Sequence, residues 1–187
     1  MNVYEKLPVL ESQNFILRGI KESDAEELLK VYSDEKAVPF FNCDNCHGDD
    51  FHYQTLQRMK KAVQFWVFSY EHGYFVRWAV VDKSNGCVVG TIELFHRDSE
   101  KDYFDNCGLM RLDLRSDYER AGTIAEIISL IKNCAFDWFY CDKIATKVKP
   151  FAAERKNAFL KIGFMPSSSP LVGDGGETYY DYYVLTK

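Results

Sequence analysis

Four side chains able to bind metal or exchange thiols stand together in FNCDNCHGDDFHY, residues 41–53: Cys43, Cys46, His47 and His52. Cys43-x-x-Cys46-His47 has the spacing that attaches a c-type haem. That attachment is made outside the cytoplasm, and the leading stretch MNVYEKLPVLESQNF has neither a basic n-region nor an apolar h-region. The expected compartment is therefore the cytoplasm, where the six cysteines are thiols and no haem is expected. A zinc site would need adjacent Cys46 and His47 to turn inward together, and no second ligand pair follows at the usual spacing. A thioredoxin-like pair wants its first cysteine at a helix N-terminus, whereas the next helical pattern starts near Asp49 or Asp50. The segment reads as a loop with two thiols, and no metal is expected.

A second group points to different chemistry. LDLRSDYERAGTIAEII, residues 112–128, runs from a strand through a short loop containing Gly122 into a helix. Such a turn aims unpaired backbone N–H groups and the positive end of a helix dipole at one spot, which suits phosphate. Arg115 and Arg120 flank the loop and add charge.

The elements that must hold these groups follow from periodicity. FILRGI (15–20) reads as a strand, and Ser23-Asp24-Ala25-Glu26 as a capping box opening the helix AEELLKVYS. Phe51, Leu56, Met59, Val63, Trp66 and Tyr70 form the apolar stripe of a second helix. YFVRWAVVD and CVVGTIELF flank Asn85-Gly86, a hairpin signal. A charged connection, residues 97–106, leads to the strand CGLMRLDL (107–114). The next helix is expected from near Thr123, with Ile124, Ile127, Ile128, Ile131, Ala135 and Trp138 along one buried stripe. KIATKVK (143–149) is a further strand, AAERKNAFLKIG a shorter helix capped by Gly163, and TYYDYYVLTK the last strand. The order implies one domain of mixed α/β (α+β) type, a central mixed sheet flanked by helices.

Composition sets limits on partners. The 187 residues are 47% hydrophobic and 27% charged, enough for a full core without staples. A net charge of −5 and the lack of a long basic run argue against nucleic acid and anionic membranes. No apolar run approaches the ~20 residues of a membrane span.

The pattern as a whole resembles the GCN5-related N-acetyltransferase superfamily, in the style of the branch that acetylates ribosomal-protein N-termini. The resemblance rests on FILRGIKESDAEEL, GTIEL, DYERAGTIAEII and FLKIGF in that order, and covers about Glu11 to Leu185. It implies that acetyl-CoA lies across the splayed ends of strands 112–114 and 143–148. Backbone groups of Leu112 and Leu114 would take the pantetheine arm and acetyl carbonyl. The amides of Arg120, Ala121, Gly122, Thr123 and Ile124, with Arg115 nearby, would take the pyrophosphate. The family loop reads Gln/Arg-x-x-Gly-x-Gly/Ala, whereas this chain has Glu119-Arg120-Ala121-Gly122-Thr123-Ile124. A family glutamate base falls at Gly108, an asparagine at Ala152 and the tyrosine acid at Phe159.

Acetyl transfer needs a neutral amine, which is nearer to hand for an α-amine (pKa ~8) than for lysine (~10.4). It also needs a proton for the leaving thiolate. Candidate bases are Glu93, Asp113 and Asp105, and candidate acids are Tyr179, Tyr180, Tyr182 and Tyr183. Strand alternation puts Tyr180 and Tyr182 on one face and Tyr179 and Tyr183 on the other. The leading set is Glu93, Asp113 and Tyr180. Asp49 and Asp50, with Asp44, would draw a cationic amine to the acceptor side. The expected partners are acetyl-CoA and an amine acceptor, either a small molecule or a protein N-terminus, with a homodimer compatible with the fold. Two other readings stand beside this one: a catalytically silent acyl-CoA-binding module on the same fold, and a metal- or thiol-responsive protein using residues 43–52.

Overall fold

The computed structural model describes residues 2–187. Strands β1 (Leu10–Glu11), β2 (Phe15–Gly19), β3 (Val76–Asp82), β4 (Val88–Arg97) and β5 (Cys107–Leu114) are joined in sequence order. They continue into β6 (Lys143–Lys147), and the last two positions go to β10 (Tyr182–Thr186) and β7 (Met165–Pro166). Every neighbouring pair is antiparallel except β5–β6. A separate ribbon pairs β8 (Leu171–Val172) with β9 (Thr178–Tyr179).

Alternation along the strands divides the core. On β3, Val76, Trp78 and Val80 pack with α3 (Ala121–Ser129), α4 (Lys132–Trp138) and α5 (Ala153–Lys161). Ala79 and Val81 pack on the other face with α1 (Ala25–Tyr32) and α2 (Leu56–Glu71). The mixed sheet flanked by helices is therefore as expected.

Four local expectations are corrected. First, α2 starts at Leu56, with Thr55 Oγ1 accepting from Arg58 N at 3.2 Å, and not near Asp49. Asn45, His47, Gly48 and Phe51 all have left-handed φ, between 52° and 86°, so this segment cannot extend a helix. Asp49 and Asp50 instead accept from the N–H groups of Phe51 and His52, two residues on in each case.

Second, the entry to α1 uses Asp24 in place of the Ser23/Glu26 pair. Asp24 accepts from Lys21 N at 2.8 Å and from both terminal nitrogens of Arg18. Third, the isoleucine-rich helix starts at Ala121 and is broken by a turn at residues 130–131 into α3 and α4. Fourth, Asp181 adopts φ +67° and splits the tyrosine-rich terminal run into β9 and β10. Strict alternation fails across it: Tyr182 is 2% exposed and Tyr180 is 56% exposed.

Candidate active site

Parallel pairing of β5 with β6 ends at Met110↔Thr146, while β5 stays paired to β4 as far as Gly90↔Leu114. Beyond Met110, one edge of β5 therefore lies open. Arg115 N donates to Val89 O at 2.9 Å, which makes Leu114–Gly90, and by parity Leu112–Ile92, non-hydrogen-bonded pairs. The N–H and C=O groups of Leu112 and Leu114 consequently point away from β4 into the fork between β5 and β6. An extended amide-bearing ligand laid there finds ladder partners already in place.

The loop after β5 brings the start of α3 to the same end of the sheet. Its amides are not all available. Arg120 N donates to Tyr118 O and Ile124 N to Arg120 O, while Ala121 N donates to the Glu154 carboxylate at 2.7 Å. Gly122 and Thr123 supply the remaining first-turn donors. The Ile124 side chain is fully buried among the core isoleucines, so its bulk does not face the phosphate position. Glu119 is held by a bidentate contact from Arg155 of α5. Arg120 is exposed, and Arg115 is paired with Asp117 at 2.7 Å.

The opposite face of the fork opens into a cavity of about 570 Å³, walled by Asn42, Asp44, the β4 end from Phe95, residues 98–101, Leu109–Arg111, the β8 turn and Tyr182. That volume accommodates a small ligand or the end of a peptide. Arg97 fixes one wall, donating to both oxygens of Asp102 and to the carbonyls of Phe104 and Val172, each at 2.8 Å. Residues 97–106 are thus a charged surface connection, as expected, and Arg97 ties it down as a wall.

At the floor, three strands present side chains at one level, just past the last β5–β6 pair. These are Arg111 on β5, Lys147 on β6 and Tyr182 on β10, the last two being register partners. Asp44, from the loop between α1 and α2, bridges all three. Its carbonyl accepts from Arg111 at 3.0 Å, and its Oδ2 accepts from Lys147 at 2.5 Å and from the Tyr182 hydroxyl at 3.1 Å. Burial, then the charge of Asp44, push the Tyr182 phenol well above its usual value.

The carboxylates expected to act as bases lie elsewhere. Glu93 is 2% exposed and wedged between Arg77 and Arg111. Burial would raise its pKa, but the two guanidinium groups outweigh it and hold the carboxyl below its ordinary value. Asp113 is fully buried, accepting from Tyr32 at 2.8 Å and Arg77 at 3.3 Å; burial raises its pKa. Both are structural members of one Arg77-centred network, with Trp66 stacked 4.2 Å from the Arg77 guanidinium. Tyr180 is exposed and is not brought to them. Asp105 is exposed and caps Ser99 N.

Asp49 is tied to Arg58 at 2.7 Å and to the Tyr53 hydroxyl, and neither it nor Asp50 lines the cavity. Asp44 takes the position expected of them. Gly108, Ala152 and Phe159 do not face the cavity, and Ala152 and Phe159 lie in the core. Tyr182 is among the candidate acids of the sequence but stands behind Tyr180 there, and Lys147 is absent from them, because the relevance of both depends on the break at Asp181 and on where β5–β6 pairing stops, neither of which leaves a mark in side-chain periodicity.

Burial pushes the Cys43 thiol up to about 11 and raises Cys46 as well, so both stay protonated and weakly nucleophilic. Among the described residues, no group of three or more His, Cys, Asp or Glu side chains is placed to hold a metal ion.

A fork of this kind, with a phosphate-facing helix start behind it, fits acyl transfer from a nucleotide thioester. The chain belongs to the acetyltransferase (GNAT) domain family, which residues 14–165 match. The N-acetyltransferase YoaA of Bacillus subtilis, itself uncharacterised, is 22% identical over 157 residues, 84% of this chain and 82% of that protein. Ribosomal-protein-S5-alanine acetyltransferase from Vibrio fischeri shares the fold with a TM-score of 0.69 at 18% identity, covering 96% of each chain. RimL, the ribosomal L7/L12 α-N-protein acetyltransferase solved with coenzyme A, does so at 0.70 and 11% identity, covering 96% of this chain and 98% of its own. No helix among the described residues is long and apolar enough to cross a membrane.

Proposed function

We infer that this protein transfers an acetyl group from acetyl-CoA to a primary amine by direct attack in a ternary complex. The observation that carries the reading is the open edge of β5, where the backbone groups of Leu112 and Leu114 face the fork. The pantetheine arm lies along that edge, and the pyrophosphate meets the amides of Gly122 and Thr123 with Arg120 beside them. The amine enters from the cavity on the other face and meets the thioester at the level of Arg111 and Lys147. Holding the two reactants across one fork supplies the orientation on which such transfers depend.

The acceptor class favoured is an α-amine at a peptide or protein N-terminus. Asp44, Asp98, Glu100 and Asp174 line the cavity beside Arg97, Lys101 and Arg111, and the carboxylates among them offer partners to a cationic amine; the relatives named for ribosomal proteins act on such groups. An α-amine also needs less help to lose its proton near neutral pH.

The first test is thermal unfolding with acetyl-CoA titrated to saturation. A ligand at about 100 times its Kd adds about 2.7 kcal/mol, a rise of roughly 5–10 °C for a domain of this size. Absence of a shift at millimolar acetyl-CoA refutes the reading. Turnover with short peptides bearing free N-terminal Ser or Ala, spermidine or lysine then separates an enzyme from a silent acyl-CoA-binding module.

A further inference from the structure

Glu93, Asp113 and Tyr180, the leading acid and base candidates of the sequence, do not line the cavity. The cavity floor offers one connected set in their place. We propose that Asp44 and Tyr182 form the proton relay of the reaction, with Lys147 as the positioning residue that holds Asp44 in place. The proposal rests on the acetyl-transfer reading above.

The geometry is specific. Asp44 lines the cavity with its side chain 11% exposed, and its Oδ2 is shared by Lys147 and the Tyr182 hydroxyl. Its Oδ1 has no hydrogen-bond partner among the described residues and is not sealed from solvent. The carboxylate thus has one oxygen anchored and one free to take an ammonium or a proton. Tyr182 lines the same cavity beside it. The loop holding Asp44 is itself pinned by Arg111 on its carbonyl and by Asn42, whose Oδ1 accepts from Asp44 N at 3.0 Å. Other charged or titratable groups facing this point are Glu93 behind Arg111, Cys43 and Cys46 on the same loop, Asp174, which is joined to the loop through Asn45, Tyr179 beneath the Lys147 ammonium, and His96, Arg97, Asp98, Glu100 and Lys101 on the facing wall.

In the step proposed, the bound ammonium passes one proton to Asp44, the neutral nitrogen forms a bond to the thioester carbonyl carbon, and the proton then in surplus on nitrogen leaves to water through the cavity. The C–S bond breaks and its electron pair leaves on sulfur. Tyr182 gives its proton to that thiolate, and Asp44 returns the amine's proton to the tyrosine oxygen. Ammonium and acetyl-CoA become N-acetyl amine, free thiol and one proton in water, with Asp44 ionised and Tyr182 protonated as before. A phenol held above its usual pKa is a poor acid alone, so its transfer depends on proton return from Asp44. The two residues therefore work as a unit.

The experiment uses the full chain and whichever amine in the peptide, spermidine and lysine panel is turned over fastest. Tyr182→Phe should keep its Tm and its acetyl-CoA Kd and lose about 10²-fold in kcat. Asp44→Asn should lose a similar factor at neutral pH. Its log kcat should then climb with unit slope as the amine loses its own proton, closing the gap to the wild type at alkaline pH. The double variant should be little slower than either single one. A loss in Asp44→Asn that is constant across pH, or full activity in Tyr182→Phe, overturns the relay while leaving the acetyl-transfer reading intact. Absence of wild-type turnover with every amine overturns both.

Discussion

Glu93 shows how one residue's environment decides its job. Its place in GTIEL makes it a candidate base, yet it is buried between two arginines. Glu93→Gln should destabilise the fold by about 3–5 kcal/mol, because it leaves buried guanidinium charge without its counter-ion. Its pKa is lowered in the folded state, so its contribution is present above the unfolded carboxylate value, about 4.3, and is lost as pH falls through the lowered folded value. Denaturant unfolding from pH 7 down to pH 3 should show the wild type losing stability with acid and Glu93→Gln losing less. At the helix α3 start, Glu154 occupies the Ala121 amide, which on the proposed reading would otherwise meet the pyrophosphate. Replacing it by Gln removes a competing charge there worth about 0.3–1 kcal/mol, up to about fivefold. Calorimetry should record that tightening for acetyl-CoA but not for S-acetylpantetheine, which lacks the pyrophosphate. The turn from β5 into α3 could be read from residue types; which of its amides are free could not, since Glu154 and Tyr118 reach them only in the fold.

At the level of elements, the fork depends on close packing behind β5. A Cβ on Gly90 would lie 2.3 Å from the Asp113 carbonyl and 3.0 Å from the Leu114 Cα, both of them backbone atoms. Gly90→Ala should therefore cost about 1–3 kcal/mol or more and displace Leu114. A lowered Tm together with weakened acetyl-CoA binding is the expected result, whereas tight binding would mean the β5 edge is not used. Strands β2 to β6 and helix α5 were legible from periodicity and turn residues. The start of α2, the α3–α4 break and the split at Asp181 were not. In each, a local backbone conformation overrides a pattern that side chains continue: left-handed φ before α2, a turn at residues 130–131, and φ +67° at Asp181.

On the scale of the whole molecule, the cysteine-rich loop contributes Asp44 to the cavity floor, and burial keeps its two thiols protonated. Dialysis against EDTA should leave the Tm unchanged, and the purified protein should contain well under one zinc per chain by elemental analysis. A metal-dependent Tm would restore residues 43–52 as a site. The family was recognisable from the order of short motifs, because β1 to β6 lie in the sheet in the order they occur along the chain. The cavity was not, because it is closed by contacts such as Asp44 to Tyr182, which join the two ends of the sequence.

That last contact also bears on how the chain folds. β10 inserts between β6 and β7 and brings Tyr182 to Asp44, 138 positions away in sequence. The floor of the cavity therefore waits on a long-range pairing, the kind of contact that is slow to form, and the sheet from β1 to β5 can assemble before the cavity has a floor.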